Sequence, residues 1–206
     1  MLDTLVTTGC YALFCGTERI CTGAIGEVVR AAKNCVDSGT TERVALFDDS
    51  SGRALDIDYR GTVDEVLARL RDHPMLPQAE REALAPRGPG RPRLGVVARE
   101  VTLLPRHWDW LGEQPGGASV ALRKLVDIAR REHAARDLAR RAQEATHRFM
   151  WDMAGNLPRF EEVSRAFYAR DYARLDELLA QWPLGIAEHT RHLVKQQRDL
   201  EKLAAG

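Results

Sequence analysis

The sequence predicts an α+β protein: an N-terminal ββαββα domain, a central strand-helix-helix unit and a C-terminal helical module. Three observations carry that expectation. Strand-like alternation is concentrated in the first third of the chain, where each of two β-prone pairs is followed by helical periodicity. A short alternating run then precedes two helices split by the turn Pro115-Gly116-Gly117, and from Ser119 onward helical spacing dominates. The boundaries that follow are residues 1–72 for the α+β domain, 73–96 for a Pro/Arg-rich linker, 97–132 for the central unit and 133–206 for the helical module.

In the first domain, Tyr11 to Cys15 and Ile20 to Thr22 read as strands joined by the turn-like Gly16-Thr17-Glu18-Arg19. Between Ala24 and Val36, the apolar residues Ile25, Val28, Val29, Ala32 and Val36 recur at helical spacing, and Ser38-Gly39 supplies a stop. A second hairpin is expected from Arg43 to Phe47 and Ala54 to Tyr59, around Asp48-Asp49-Ser50-Ser51-Gly52. Its return strand sets Leu55, Ile57 and Tyr59 against Asp56, Asp58 and Arg60. Thr62 with Glu65 three residues on forms a capping box, ahead of a buried stripe of Val63, Val66, Leu67 and Leu70.

The linker should lack a fixed core position, since its composition is that of a spacer. Its end, Arg87-Gly88-Pro89-Gly90-Arg91-Pro92-Arg93, resembles the Gly-Arg-Pro centre of an AT-hook, with Pro89-Gly90 interrupting that pattern. A stiff proline-rich spacer kept soluble by its arginines is the simpler account.

In the central unit, Arg99 to Leu104 is expected as a strand, Pro105 opens a helix with Trp108 and Leu111 on its buried side, and Gly116-Gly117 permits a tight reversal. Ser119 is the expected N-cap of the next helix, which takes its apolar face from Leu122, Leu125, Val126 and Ala129. That helix should run to Met153. Its far half is expected to face solvent, because Glu132/Arg136, Asp137/Arg141 and Glu144/Arg148 place an acid four residues before an arginine. Three shorter helices follow, Pro158 to Ala169, Asp171 to Trp182 and Leu184 to Leu203, with a core drawn from Phe160, Val163, Phe167, Leu175, Leu178, Leu179, Trp182 and Leu193.

Formal charge is zero overall but unevenly placed. Residues 1–86 hold nine basic and fourteen acidic side chains, residues 87–149 thirteen and seven, and residues 150–206 eight and nine. A basic block of this kind suits a polyanion, although a solvated helix face explains it too. Arginine enrichment alone does not discriminate, because only Lys33, Lys124, Lys195 and Lys202 among the thirty basic residues are lysine.

The order of elements from Val97 to Glu132 resembles a ribbon-helix-helix unit. Three stretches, Ala45 to Arg60, Gly90 to Arg123 and Phe149 to Pro183, are similar to the bacterial domain-of-unknown-function family 2239, for which no activity is implied. The ribbon-helix-helix resemblance implies a homodimer whose paired strands enter a DNA groove. Glu100 and Thr102 would then face outward, with Val101 and Leu103 in the core, and an acid in the groove repels phosphate. Phosphate contacts are therefore expected to dominate, through Arg91, Arg93, Arg99, Arg106, Arg123 and Lys124, with backbone amides near Ser119 as an anion site. The expected work is DNA-associated regulation. The alternative is a non-enzymatic protein-interaction or small-ligand-sensing protein, whose basic centre packs against the acidic first domain.

No enzyme signature is present: there is no G-x-S-x-G, Walker loop or Rossmann fingerprint. Cys10, Cys15, Cys21 and Cys35 lack paired C-x-x-C spacing and read as small buried apolar residues. His189 and His192 beside Glu188 have a spacing compatible with a metal, yet no third ligand is evident and an exposed polar face accounts for them. His107 could be half of an acid-base pair or a packed helix start, and Asp48, Asp49, Asp56 and Asp58 read as a hairpin turn and a solvated strand face. No cofactor is expected. The opening residues lack a basic flank and no apolar run approaches the ~20 residues of a membrane helix, so a cytoplasmic location without membrane contact is expected.

Overall fold

The computed structural model describes residues 10–84 and 99–205. Two hairpins, β1 (Tyr11–Cys15) with β2 (Glu18–Gly23) and β3 (Val44–Asp48) with β4 (Arg53–Leu55), join into one antiparallel sheet of order β2-β1-β3-β4. Helix α1 (Ile25–Asp37) follows the first hairpin and α2 (Val63–Leu70) the second, which gives the expected ββαββα order. α1 ends at Ser38 with Gly39 at φ 76°. The Thr62–Glu65 capping box is present in both directions, with Thr62 N donating to Glu65 Oε2 at 2.7 Å and Glu65 N to Thr62 Oγ1 at 3.3 Å.

The central strands are apolar on both faces, and the pleat sends alternate residues into two different cores. Tyr11, Leu13 and Leu46 pack with Ile25, Val28, Val29 and Ala32 of α1 and with Val66 and Leu70 of α2. Ala12, Phe14, Ala45 and Phe47 face the other way, into a core shared with the C-terminal helices. Those helices are α5 (Gly117–Ala154), α6 (Phe160–Tyr168), α7 (Tyr172–Leu179) and α8 (Leu184–Ala205). The result is a sheet between two helical layers. Phe14, Phe47 and Phe149 meet at centroid separations of 5.1–6.0 Å, so one aromatic triad ties the hairpins to α5.

The structure corrects several expectations. The return strand stops at Leu55, because Arg69 Nη2 donates to the Asp58 carbonyl at 2.8 Å and His73 Nε2 lies 3.0 Å from the Asp56 carbonyl, drawing residues 56–60 off the sheet edge. The first part of the linker does hold a core position: Leu76 is buried against the α1 and α2 layer, ahead of α3 (Gln78–Ala83). The far half of α5 is buried along one side rather than solvent-facing, since Ala145, Thr146, Phe149, Met150 and Ala154 are buried. Of its expected ion pairs, Arg148 meets Glu144 at 3.2 Å, while Arg140 bridges Asp137 and Glu144. The three C-terminal helices appear where expected, with Val163, Phe167, Leu175, Leu178, Leu179, Trp182 and Leu193 all buried.

One glycine fixes how the second hairpin meets α5. Gly52 has φ 66°, and a Cβ there would lie 1.9 Å from the Ala145 carbonyl oxygen, so only glycine lets the turn seat on the helix. Arg148 Nη1 donates to the Ser51 carbonyl at 2.8 Å and fastens the same junction.

Candidate functional site

Helix α4 (Pro105–Gly112) and the first half of α5 form an arm. Pro105 occupies the first turn of α4 as expected, and Gly116 and Gly117, at φ 88° and 75°, make the reversal into α5. Gly116, not Ser119, is the N-cap of α5; Ser119 lies inside the first turn, exposed, and its carbonyl accepts from Arg123 Nε at 3.1 Å. Ser119 therefore does not cap, because the left-handed glycine before it already starts the helix.

The expected strand over residues 99–104 does not form within the chain. Residues 101–104 take no regular secondary structure, and among the described residues 99–103 make no backbone hydrogen bond in a turn or ladder. Val101, expected in the core, is exposed. Trp108 is likewise exposed, and only Leu111 of α4 and Ala121 of this part of α5 are buried. Between Ala121 and Ala139 no residue of α5 is buried, a run of roughly 25 Å at 1.5 Å per residue.

That exposed run is two-faced. Leu122, Leu125, Val126 and Ala129 follow the i, i+3, i+4, i+7 pattern and form an apolar stripe, of which Leu125 and Val126 are about half exposed, with Ile128 beside them. Arg123 and Arg130, and Lys124 and Arg131, are spaced seven apart, in two adjacent rows turned away from the stripe. Among the described residues none of these four cations, nor Arg99 or Arg106, forms an ion pair, and all six are exposed. Several arginines elsewhere are matched: Arg43 with Asp152 at 2.7 Å, Arg174 with Glu177 at 2.7 Å, and Arg191 with Asp176 at 2.9 Å. No described carboxylate of the acidic first segment pairs with an arm cation. Arg91 and Arg93 lie outside the described residues.

A second polar feature escaped the sequence reading. His189 is not on an exposed face; it is fully buried on α8, with its ring against Phe149 at 4.6 Å and Phe14 at 5.5 Å. Its Nε2 stands 3.1 Å from Oδ1 of Asp49, itself buried in the β3–β4 turn, and His192 Nε2 is 3.9 Å from the other carboxylate oxygen. The imidazole and carboxylate are in contact but not aligned for a hydrogen bond. Burial, then the neighbouring Asp49 carboxylate, push the Cys10 thiol up to about 11. Burial also lowers the His192 pKa, against the pull of Asp49. His189 lies on the apolar stripe Ile186, Thr190 and Leu193, which is the signal in the sequence that it points inward. Among the described residues no group of three His, Cys, Asp or Glu side chains is arranged to hold a metal ion. The cysteines are half-buried and form no disulfide among the described residues.

Fold and arm together define a mixed α+β protein, with a four-stranded antiparallel sheet near its N-terminus and helices concentrated toward its C-terminus. The chain belongs to the family described as uncharacterized protein conserved in bacteria (DUF2239), which matches residues 10–194. No curated protein and no solved structure matches it. Among the described residues no helix is long and apolar enough to cross a membrane.

Proposed function

We propose that this protein is a DNA-associated homodimer that holds the duplex mainly through phosphate contacts, without enzymatic activity. The observation that carries the reading is the arm: an apolar stripe that a second copy would bury, backed by unpaired cations. Residues 99–104, which lack a backbone partner among the described residues, would pair with their counterparts in that copy, in the manner of a ribbon-helix-helix dimer. Arg99, Arg106, Arg123 and Lys124 would contact phosphates, with Arg130 and Arg131 extending the same rows. Arg91 and Arg93 would add to that binding from the linker. With no good base-reading side chain in the segment, sequence preference would be modest and salt dependence steep.

The test is a labelled duplex titrated at several salt concentrations. Logarithmic affinity should fall linearly with logarithmic salt, and Arg123→Ala with Lys124→Ala should shallow the slope by about 2, roughly one for each phosphate no longer neutralised. Absence of binding at low salt defeats the reading. A second reading, that the arm docks a different protein, is favoured by the exposed Trp108, Trp110, Leu125 and Val126 taken without the cations. It predicts monomers in light scattering at micromolar concentration and no salt-dependent duplex binding.

A further inference from the structure

Trp151 is the most exposed aromatic side chain on the well-packed half of α5, at 66%. It stands at the rim of a groove of about 380 Å³, within the range of small-ligand sites, between α5 and the β3–β4 turn. Arg53, His147 and Arg148 also line that groove. The walls are fixed by features already described: Gly52 seats the turn on Ala145, and Arg148 holds the Ser51 carbonyl. The aromatic side is ordered too, with Phe160 edge-on to Trp151 at 5.7 Å and His147 packed on Tyr168 at 5.4 Å.

The charges are suited to an anion. Asp152, the one carboxylate among the described lining residues, is matched by Arg43 at 2.7 Å, whereas Arg53 has no ion-pair partner among the described residues. An exposed indole supplies a stacking face, and the unpaired guanidinium lining the same groove a phosphate contact. We propose that this groove binds a nucleotide, its base stacked on Trp151 and its phosphate held by Arg53. The site is separate from the arm and stands independently of the duplex reading.

Calorimetric titration of the full chain with AMP, adenosine and inorganic phosphate tests it. AMP should bind more tightly than adenosine or phosphate alone. Trp151→Ala should weaken AMP ~10-fold or more, Trp151→Phe should retain most of the affinity, and Arg53→Ala should reduce AMP to the level of adenosine. Both side chains are exposed, so thermal melts of the variants should match the parent. A short single-stranded oligonucleotide forms the second arm: affinity per site above that of AMP identifies single-stranded nucleic acid as the source of the nucleotide, and the reverse order identifies a free mononucleotide. Absence of binding by AMP and oligonucleotide at millimolar concentration overturns the proposal, as does affinity unchanged in Trp151→Ala and Arg53→Ala. Trp151→Ala should leave the salt slope for duplex intact and Arg123→Ala should leave AMP binding intact, so the two readings fail separately.

Discussion

The two halves of α5 are one helix with two environments. Its C-terminal half presents Ala145, Phe149 and Met150 to the sheet and α8, and two of its four arginines, Arg140 and Arg148, meet acids. The N-terminal half has a comparable alternation of apolar and basic residues, yet its Leu125, Val126 and Ile128 are exposed and its Arg123, Lys124, Arg130 and Arg131 are unmatched among the described residues. Apolar burial supplies ~25 cal/mol per Å², so the first half leaves stabilisation unrealised that the second half collects. Helical propensity alone cannot explain that difference. A surface that keeps both an apolar stripe and free cations is the feature on which the duplex-binding proposal rests.

A large effect separating the two regions should come from breaking a buried polar contact. Asp49→Ala leaves His189 buried among Phe14 and Phe149 without its polar neighbour, and should destabilise by about 1–3 kcal/mol, lowering Tm by several degrees. Asp127→Ala, an exposed acid on the arm, should change stability by no more than ~0.5 kcal/mol. Comparable melting shifts for the two variants would show that the Asp49–His189 contact is not a structural tie. His189→Ala alone should be as damaging as Asp49→Ala, and the double variant should be less than additive.

A smaller, pH-dependent effect is centred on the sheet layer. Cys10 is raised to about 11, chiefly by burial, and Tyr59, also chiefly by burial, to about 12. For groups whose pKa is higher in the folded state, the contribution is fully present below the unfolded values and is lost as pH rises through the folded ones. Stability should therefore hold up to pH ~9 and decline between about 9 and 12. Cys10→Ser and Tyr59→Phe should flatten that decline in denaturant titrations. A parent profile that stays flat to pH 12 would contradict the burial assigned to these two groups.

Local chemistry makes the sheet layer legible. Turn residues, β-prone runs and the Thr62–Glu65 box each act within a few residues, and they place the first hairpin, β3, α1 and α2 within a residue or two, while the return strand of the second hairpin ends four residues early, at Leu55. The C-terminal helices are equally visible through Asp171 and Pro183. Partnership is harder to read. The Glu144/Arg148 pair is a true surface pair, but it says nothing about the opposite side of the same turns, where Phe149 and Met150 enter the core. Residue type alone puts His189 on the surface, whereas its position on the Ile186–Leu193 stripe decides its environment. The six residues before Pro105 alternate like a strand, yet alternation states only which sides match and not where a mate lies. For the candidate site, Arg99, Arg106, Arg123 and Lys124 are identifiable from charge placement, and the groove beside Trp151 is not, because its walls come from segments about a hundred residues apart.

The smallest effect on folding is also the sharpest probe of the comparison. Leu178 and Leu125 are the same residue type on helices, 2% and 45% exposed respectively. Leu178→Ala opens a cavity in the C-terminal core and should cost ~2–5 kcal/mol. Leu125→Ser removes an apolar group that the single chain scarcely buries, so the monomer's stability should move by no more than ~0.5 kcal/mol. If a second copy covers the stripe, however, the same substitution should shift the protein toward monomer in light scattering and make melting less dependent on protein concentration. A parent that is monomeric at every concentration tested, with Leu125→Ser indistinguishable from it, would leave the stripe to a partner of another kind. A Leu125→Ser variant that loses as much stability as Leu178→Ala in a monomeric parent would mean that the arm packs against its own chain, and the contrast between the halves of α5 would disappear.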